Sequence, residues 1–193
     1  VDVVIETLTE HNLLNTPEWP ERPFSCKYCT YWEFPGDSFK AAERVREDIF
    51  KRKLSWLRKT TRSFGNCGRI LRVSGNSVGY VQYAPACALP KCFDYSAGPT
   101  SDGAVLLSCL FISDPKFRRL GLGSSLLKDV CGELKRRGIH AIETFARRTG
   151  SNNPSGPVQF YLRNGFRVVR NTSEFPLMRL NLGKAVSRHG SLE

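Results

Sequence analysis

Seven consecutive residues, Arg118-Arg119-Leu120-Gly121-Leu122-Gly123-Ser124, carry the clearest chemical signal in the chain. Two glycines one residue apart let a backbone turn tightly and approach a ligand closely, and the N–H groups that open a helix are fixed donors for an anion. Arg118 and Arg119 add charge that side chains can aim at the same group. The chemistry is phosphate binding. It is not that of a Walker A loop, which needs Lys followed by Ser or Thr, and the third glycine of the dinucleotide fingerprint is missing. A plain tight turn would use the same glycines, so context has to decide.

A second group of candidates lies near the N-terminus. Cys26-Lys27-Tyr28-Cys29 could be half of a zinc site or a redox pair. Completing four ligands would draw on Cys67, Cys87, Cys92 or a histidine. Packing of a turn-rich segment is the simplest account, and no metal ligand set is assigned. The surrounding aromatics, Trp19, Phe24, Tyr28, Tyr31, Trp32 and Phe34, either fill a core or wall a pocket for an apolar or cationic amine. His11, His140 and His189 are scattered, which argues against a histidine-based metal or nucleophile constellation.

The elements that must position these groups alternate strands with helices. Ala104 to Ser113 is a nearly continuous apolar run suited to a central buried strand. Leu122, Leu126, Leu127, Val130, Cys131 and Leu134 then recur on one helix face that begins near Gly121, and Gly138 stops it. Upstream, Arg69 to Ser74 and Val78 to Tyr83 flank Gly75-Asn76 and predict a hairpin. Downstream, His140 to Arg147 reads as a strand, Pro157 to Asn164 as a short helix, and Phe166 to Val169 and Pro176 to Leu182 as closing strands. Residues 15 to 37 read as an irregular flap broken by prolines, 38 to 61 as a helix, and 84 to 103 as a long loop.

Composition bounds the rest. At 193 residues, 40% hydrophobic and 24% charged, the chain can bury one sizeable core, and no run suits a membrane span. Residues 1 to 14 do not read as a signal peptide, so a cytoplasmic location is expected. Seven cysteines are an odd count for a disulfide framework, and reduced thiols are expected. Of the net charge of +11, the stretch 40 to 72 supplies +8, from eleven Lys or Arg against three acids. Such a field suits an anionic ligand or partner, or is simply a solvated helix face.

Taken together, the chain resembles the GNAT superfamily of N-acetyltransferases. Their hallmark is a strand end followed by Arg or Gln, two residues, Gly, one residue, and Gly or Ala, matched by Arg118, Gly121 and Gly123. A second block, a short helix with Tyr four residues before Gly-Phe, is matched by Tyr161 and Gly165-Phe166. The resemblance covers about residues 69 to 182. It implies an α/β fold with a mixed, mostly antiparallel sheet flanked by helices, splayed apart at a cofactor cleft between strands ending near Ser113 and Arg147. A single domain over 1-193 is expected, with 1-68 as flap and basic helix, 69-182 as cofactor-binding core and 183-193 as tail.

The function implied is transfer of an acetyl group from acetyl-CoA to a primary amine, of a small molecule in the favoured case, by direct attack in a ternary complex. The residues implied for the cofactor are Phe111, Ile112 and Ser113 at the strand end, Arg118, Arg119, Leu120, Gly121, Leu122, Gly123 and Ser124 in the turn, and Asn153 beyond. Tyr161 is implied as proton donor to the departing thiolate. Family members often place a Glu on the central strand, and Val105 to Ser113 has none, so Glu143 on the next strand is the candidate base. A water relay or an already neutral amine would serve instead. The competing functions are acetylation of a protein N-terminus or lysine, and a CoA-binding module whose basic helix, 40 to 62, holds nucleic acid or an acidic partner. No membrane partner is expected, and a homodimer stays open.

Overall fold

The computed structural model describes residues 2–19, 25–36, 46–149 and 154–183. Seven strands form one sheet: β1 (Val3–Thr7), β2 (Gly68–Val73), β3 (Asn76–Pro85), β4 (Ala104–Ile112), β5 (Ala141–Phe145), β6 (Arg167–Arg170) and β7 (Leu177–Asn181), in the order β1-β2-β3-β4-β5-β7-β6. Every neighbouring pair is antiparallel except β4 with β5. Three helices accompany it: α1 (Arg46–Phe64), α2 (Leu122–Arg136) and α3 (Val158–Arg163). No helix among the described residues is long and apolar enough to cross a membrane.

The alternation of a strand sorts the core into two layers. On β4, Leu106, Cys109 and Phe111 join Trp56 and Leu57 of α1, while Leu107 and Leu110 join Leu126, Leu127 and Val130 of α2 and Tyr161 of α3. The sheet is thus covered on both faces, which explains the almost unbroken apolar run of β4. Helix α2 is fixed to the sheet by charge as well. Glu133 accepts from the guanidiniums of Arg69 and Arg137 and from the Tyr83 hydroxyl, and Arg69 also pairs with Asp129 at 2.9 Å.

The expected hairpin is β2–β3, with Ser74 and Gly75 both at positive φ in its turn. The helix expected over 38 to 61 is described from Arg46 onward; its expected start lies outside the described residues, as does the tail from 184. Three features depart from expectation. Residues 3–7 form an edge strand, which their short alternating pattern did not announce. The turn-rich segment is part of the core: Trp19, Cys26 and Trp32 are buried at 5–7% exposure. And the basic helix is not basic on its solvent side alone, because Lys53 is buried beneath that segment, Lys51 pairs with Glu47 and Arg58 with Glu10.

Lys53 explains how the segment is held. Its ammonium donates to the Glu33 carboxylate and to Gln82 Oε1 at 2.6 Å. Gln82 donates in turn to Glu33 at 2.8 Å and to the Ser108 hydroxyl at 3.2 Å, and accepts from the Tyr80 hydroxyl. Burial is the largest single influence and opposes the charge on Lys53, but the facing Glu33 carboxylate, together with Cys26 and Cys29, holds the ammonium above the ordinary lysine range. Lys27 does the same for the preceding turn, donating to the carbonyls of Leu14 and Thr16.

Candidate active site

Strands β4 and β5 pair only from Ala104–Leu106 to Ala141–Glu143 and then separate. The gap is bridged in part by backbone: the Leu110 N–H donates to the Pro154 carbonyl at 2.7 Å, and Arg147 exchanges bonds with Gly156 and Val158. Alternation along β4 puts the Ile112 N–H on the same open edge as that of Leu110. A cleft of about 590 Å³ lies along this edge and is lined by Leu110, Phe111, Ile112, the 118–124 turn and α3.

The turn is built as an anion cradle. Arg119 and Gly121 both sit in the left-handed region, at φ 62° and 81°, so the chain reverses within three residues. Gly121 caps α2 without a side-chain bond, and the first N–H inside the helix to close a ring is that of Ser125, which donates to the Gly121 carbonyl at 3.0 Å. The N–H groups before it open toward the cleft, where helix dipole and donors both favour negative charge. Gly123 lines the same surface, and a Cβ there would stand 3.4 Å from the Phe160 ring, in ordinary van der Waals contact. These features fit a diphosphate.

Of the residues expected to hold a cofactor, Phe111, Ile112, Arg118, Arg119, Gly121, Gly123 and Ser124 line this cleft. Ser113 is buried, with its N–H and hydroxyl both on the Val78 carbonyl. Leu120 is exposed and Leu122 packs toward the α2 layer, so neither side chain faces the cleft. Asn153 lies outside the described residues. The Arg118 side chain is turned back: it donates to the carbonyls of Ile112 at 3.0 Å and Ser113 at 2.8 Å, which ties the turn to the end of β4. Arg119 is exposed, and with Arg163 it is placed to meet an anion in the cleft. Arg163 and Asn164 follow Tyr161 closely in sequence, and Trp19 comes from the aromatic cluster expected to fill a core or wall an acceptor pocket.

Tyr161 is fully buried where the gap between β4 and β5 is bridged. Its hydroxyl donates to the Ser155 carbonyl at 2.6 Å, and burial pushes its pKa well above the ordinary phenol value despite a hydrogen bond with Thr144. It therefore stays protonated. Phe160 and Phe166 pack edge-on against it, each at 5.1 Å. The peptide that Tyr161 holds separates two cavities, with Pro154 and Ser155 lining one and Gly156 and Pro157 the other.

That other cavity, about 690 Å³, opens on the α1 side of the sheet and shares Trp19 and Phe111 with the cleft. Its walls come from far apart in the chain: Cys26, Trp32, Tyr95, Cys109, Arg147 and Glu174 among them. Glu143 is not among them. It is wholly buried with one oxygen accepting from Arg179 at 2.8 Å and the other from the Ser101 N–H at 2.7 Å. Both oxygens are thus engaged where the strands are still paired. All seven cysteines are free, and among the described residues no group of three or more His, Cys, Asp or Glu could hold a metal ion.

Comparison with solved structures places this arrangement. PaiA N-acetyltransferase from Thermoplasma acidophilum, solved with coenzyme A, superposes with a TM-score of 0.59 at 14% identity, covering 94% of this chain and 99% of its own. An aminoglycoside acetyltransferase solved with coenzyme A gives 0.57 at 16% identity, over 93% and 95%. The ribosomal-protein-S18-alanine N-acetyltransferase of Escherichia coli gives 0.53 at 14%, over 97% and 98%. At these identities the likeness is one of fold. No curated protein sequence matches the chain. The acetyltransferase (GNAT) domain family matches residues 70–168, just over half of the chain and the stretch that holds both the cradle and Tyr161. On that match, the chain belongs to the GNAT acetyltransferases.

Proposed function

We propose that the chain works as one unit that transfers the acetyl group of acetyl-CoA to the primary amine of a small molecule, by direct attack in a ternary complex. The observation that carries this is the meeting of two cavities at Phe111 and Trp19, one with an anion cradle and one without. A donor and an acceptor can therefore be held at once on opposite sides of one strand edge.

Acetyl-CoA supplies an activated thioester carbonyl. The N–H groups of Leu122, Gly123 and Ser124, with Arg119, hold its diphosphate. The Ile112 N–H on the open edge of β4 orients the carbonyl and stabilises the charge that develops on its oxygen. Tyr161, kept protonated by burial, donates to the departing sulfur once its hydroxyl turns from the Ser155 carbonyl. With Glu143 engaged elsewhere, the amine attacks in its neutral form; the proton its nitrogen then sheds passes through Glu174 at the cavity mouth to solvent, and solvent returns one to Tyr161.

Thermal unfolding with and without acetyl-CoA tests this. A ligand at 100 times its Kd stabilises the folded state by about 2.7 kcal/mol. The expected result is a rise with acetyl-CoA, and CoA release only when an amine is added. No rise at saturating acetyl-CoA would overturn the proposal.

A further inference from the structure

We infer that the acceptor is a primary amine carried on a short saturated chain from a flat aromatic ring, and that Trp32 and Tyr95 select it. This rests on the function proposed above and concerns the second cavity alone, whose volume of about 690 Å³ suits one small molecule.

Six rings line it, Trp19, Tyr31, Trp32, Tyr95, Phe111 and Phe175, beside four serines and four charged side chains. Trp32 and Tyr95 lie nearly parallel, 11° apart with centroids at 5.2 Å, and Tyr95 is backed by the buried Phe145 at 4.4 Å. A hydrogen bond between the Tyr31 and Tyr95 hydroxyls, 3.2 Å, and edge contacts from Tyr31 and Phe175 fix this stack. A second stack, Trp19 on Phe111 at 4.7 Å, stands where the cavity meets the cleft. Rings held in stacks by other rings are preorganised to take one more in offset or edge-on geometry.

Between the walls the cavity presents sulfur. Cys26, Cys29 and Cys109 all line it, and Cys26 is hydrogen-bonded to Cys109. That bond and burial push the Cys26 thiol well up, and burial, with the nearby Glu33 carboxylate, pushes Cys29 up to about 12. Both remain neutral thiols, poor nucleophiles but polarisable surfaces favourable to an aromatic ring. Ser25, 3% exposed, also lines the cavity, and its hydroxyl finds no partner among the described residues. A buried hydroxyl left open on a cavity wall is complementary to a polar group on an incoming ring.

The charges argue against the other amines. The lining carboxylates, Asp94 and Glu174, are each already matched, by Lys91 at 2.8 Å and Arg147 at 3.7 Å. A polyamine or aminosugar needs carboxylates in excess, and a chain of net charge +11 repels it further.

The test uses the full chain saturated with acetyl-CoA, with CoA release followed by chromatography. Four acceptors are compared: tyramine, the apolar but ringless isoamylamine, putrescine, and a peptide with a free N-terminal alanine. Tyramine is expected to lead each of the others in kcat/KM by about tenfold or more. Tyr95→Phe should keep that lead. Tyr95→Leu should bring tyramine down to isoamylamine while its stabilisation by acetyl-CoA is unchanged, which shows that the variant is folded and the cleft intact. A lead for putrescine or the peptide, or a lead for tyramine that survives Tyr95→Leu, would overturn the inference and leave the acetyl transfer standing. A wild-type chain that acetyl-CoA fails to stabilise would instead overturn the function on which it rests.

Discussion

The two cavities that meet at Phe111 are built in opposite ways. The cleft draws mainly on two stretches, 110–124 and 156–164, with Trp19 added from far upstream. The second cavity draws on Trp19, residues 25–32, 91–96, Cys109, Phe111, Arg147, Pro154, Ser155 and residues 173–175, brought together only by the finished fold. Most of the donor site can thus be encoded in two short stretches, whereas the acceptor site depends on how many distant segments pack. The N-terminal segment makes the difference, because it lies across the α1 face of the sheet through the Glu33–Lys53–Gln82 network.

Separating the two sides most forcefully means removing that anchor. Lys53→Met leaves the Glu33 carboxylate buried without its cation, and such losses cost about 3–5 kcal/mol. Thermal or urea unfolding should register this, and acetyl-CoA should still stabilise the variant because the cradle lies on the far face. Replacing both partners, Lys53→Met with Glu33→Leu, should restore most of the loss. The pH dependence follows from the raised Lys53 pKa. The pair's contribution is complete below the ordinary lysine value of 10.5 and fades as pH rises from there through the higher folded-state value. A single variant as stable as the parent would mean that the network does not hold the segment.

The same contrast explains what the sequence could tell. The cradle was legible because Gly121 acts through its own backbone, at φ 81°, and a backbone requirement beside a second glycine leaves a local trace. Tyr161 and Gly165-Phe166 were legible for a similar reason, as a short helix with its stop. Strand β1 was not, being a five-residue edge strand whose valines are exposed. Nor was the role of residues 25–36: prolines and turns suggested a flap, while Glu33 in the Tyr-Trp-Glu run finds its partner 20 residues away and buried. Tyr95, Arg147 and Glu174 have no spacing in common. Glu143 shows the limit from the other side, because a lone carboxylate in an apolar strand signals a partner without saying whether that partner is a substrate or Arg179.

The junction between the cavities comes next in size. Tyr161→Phe removes the phenol hydroxyl held there, and loss of a proton donor of this kind costs on the order of 100-fold in kcat. Because the parent hydroxyl stays protonated well past the ordinary phenol range, its rate should show no alkaline decline between pH 6 and 10 from this group. Steady-state kinetics across that range check both statements, and an unchanged kcat in the variant would remove Tyr161 from the proton path.

On the cleft side alone, Ser124→Glu offers a cleaner probe than a glycine substitution. Position 124 is the third residue of α2, where an acidic side chain favours the helix dipole, so folding should be retained. The same carboxylate repels a diphosphate, and acetyl-CoA should bind on the order of tenfold more weakly. Isothermal titration measures this, and tyramine binding in the other cavity should be unaffected.

The smallest effect on rate is expected at Glu143, and it sharpens the comparison most finely because that residue sits where the strands begin to part. Glu143→Gln keeps an oxygen for the Ser101 N–H and gives up the ion pair with Arg179, which is partly exposed and can turn to water. Stability should fall by about 1 kcal/mol. The catalytic rate and its pH profile should stay within about twofold of the parent, since Arg179 and the Ser101 N–H already engage both carboxylate oxygens. A base in the proton path would behave otherwise: its loss would lower kcat by about 100-fold or more and remove the acid limb of the profile. That result would place proton acceptance beneath the paired strands, on the side away from Glu174, and would require Arg179 to release Glu143 during turnover.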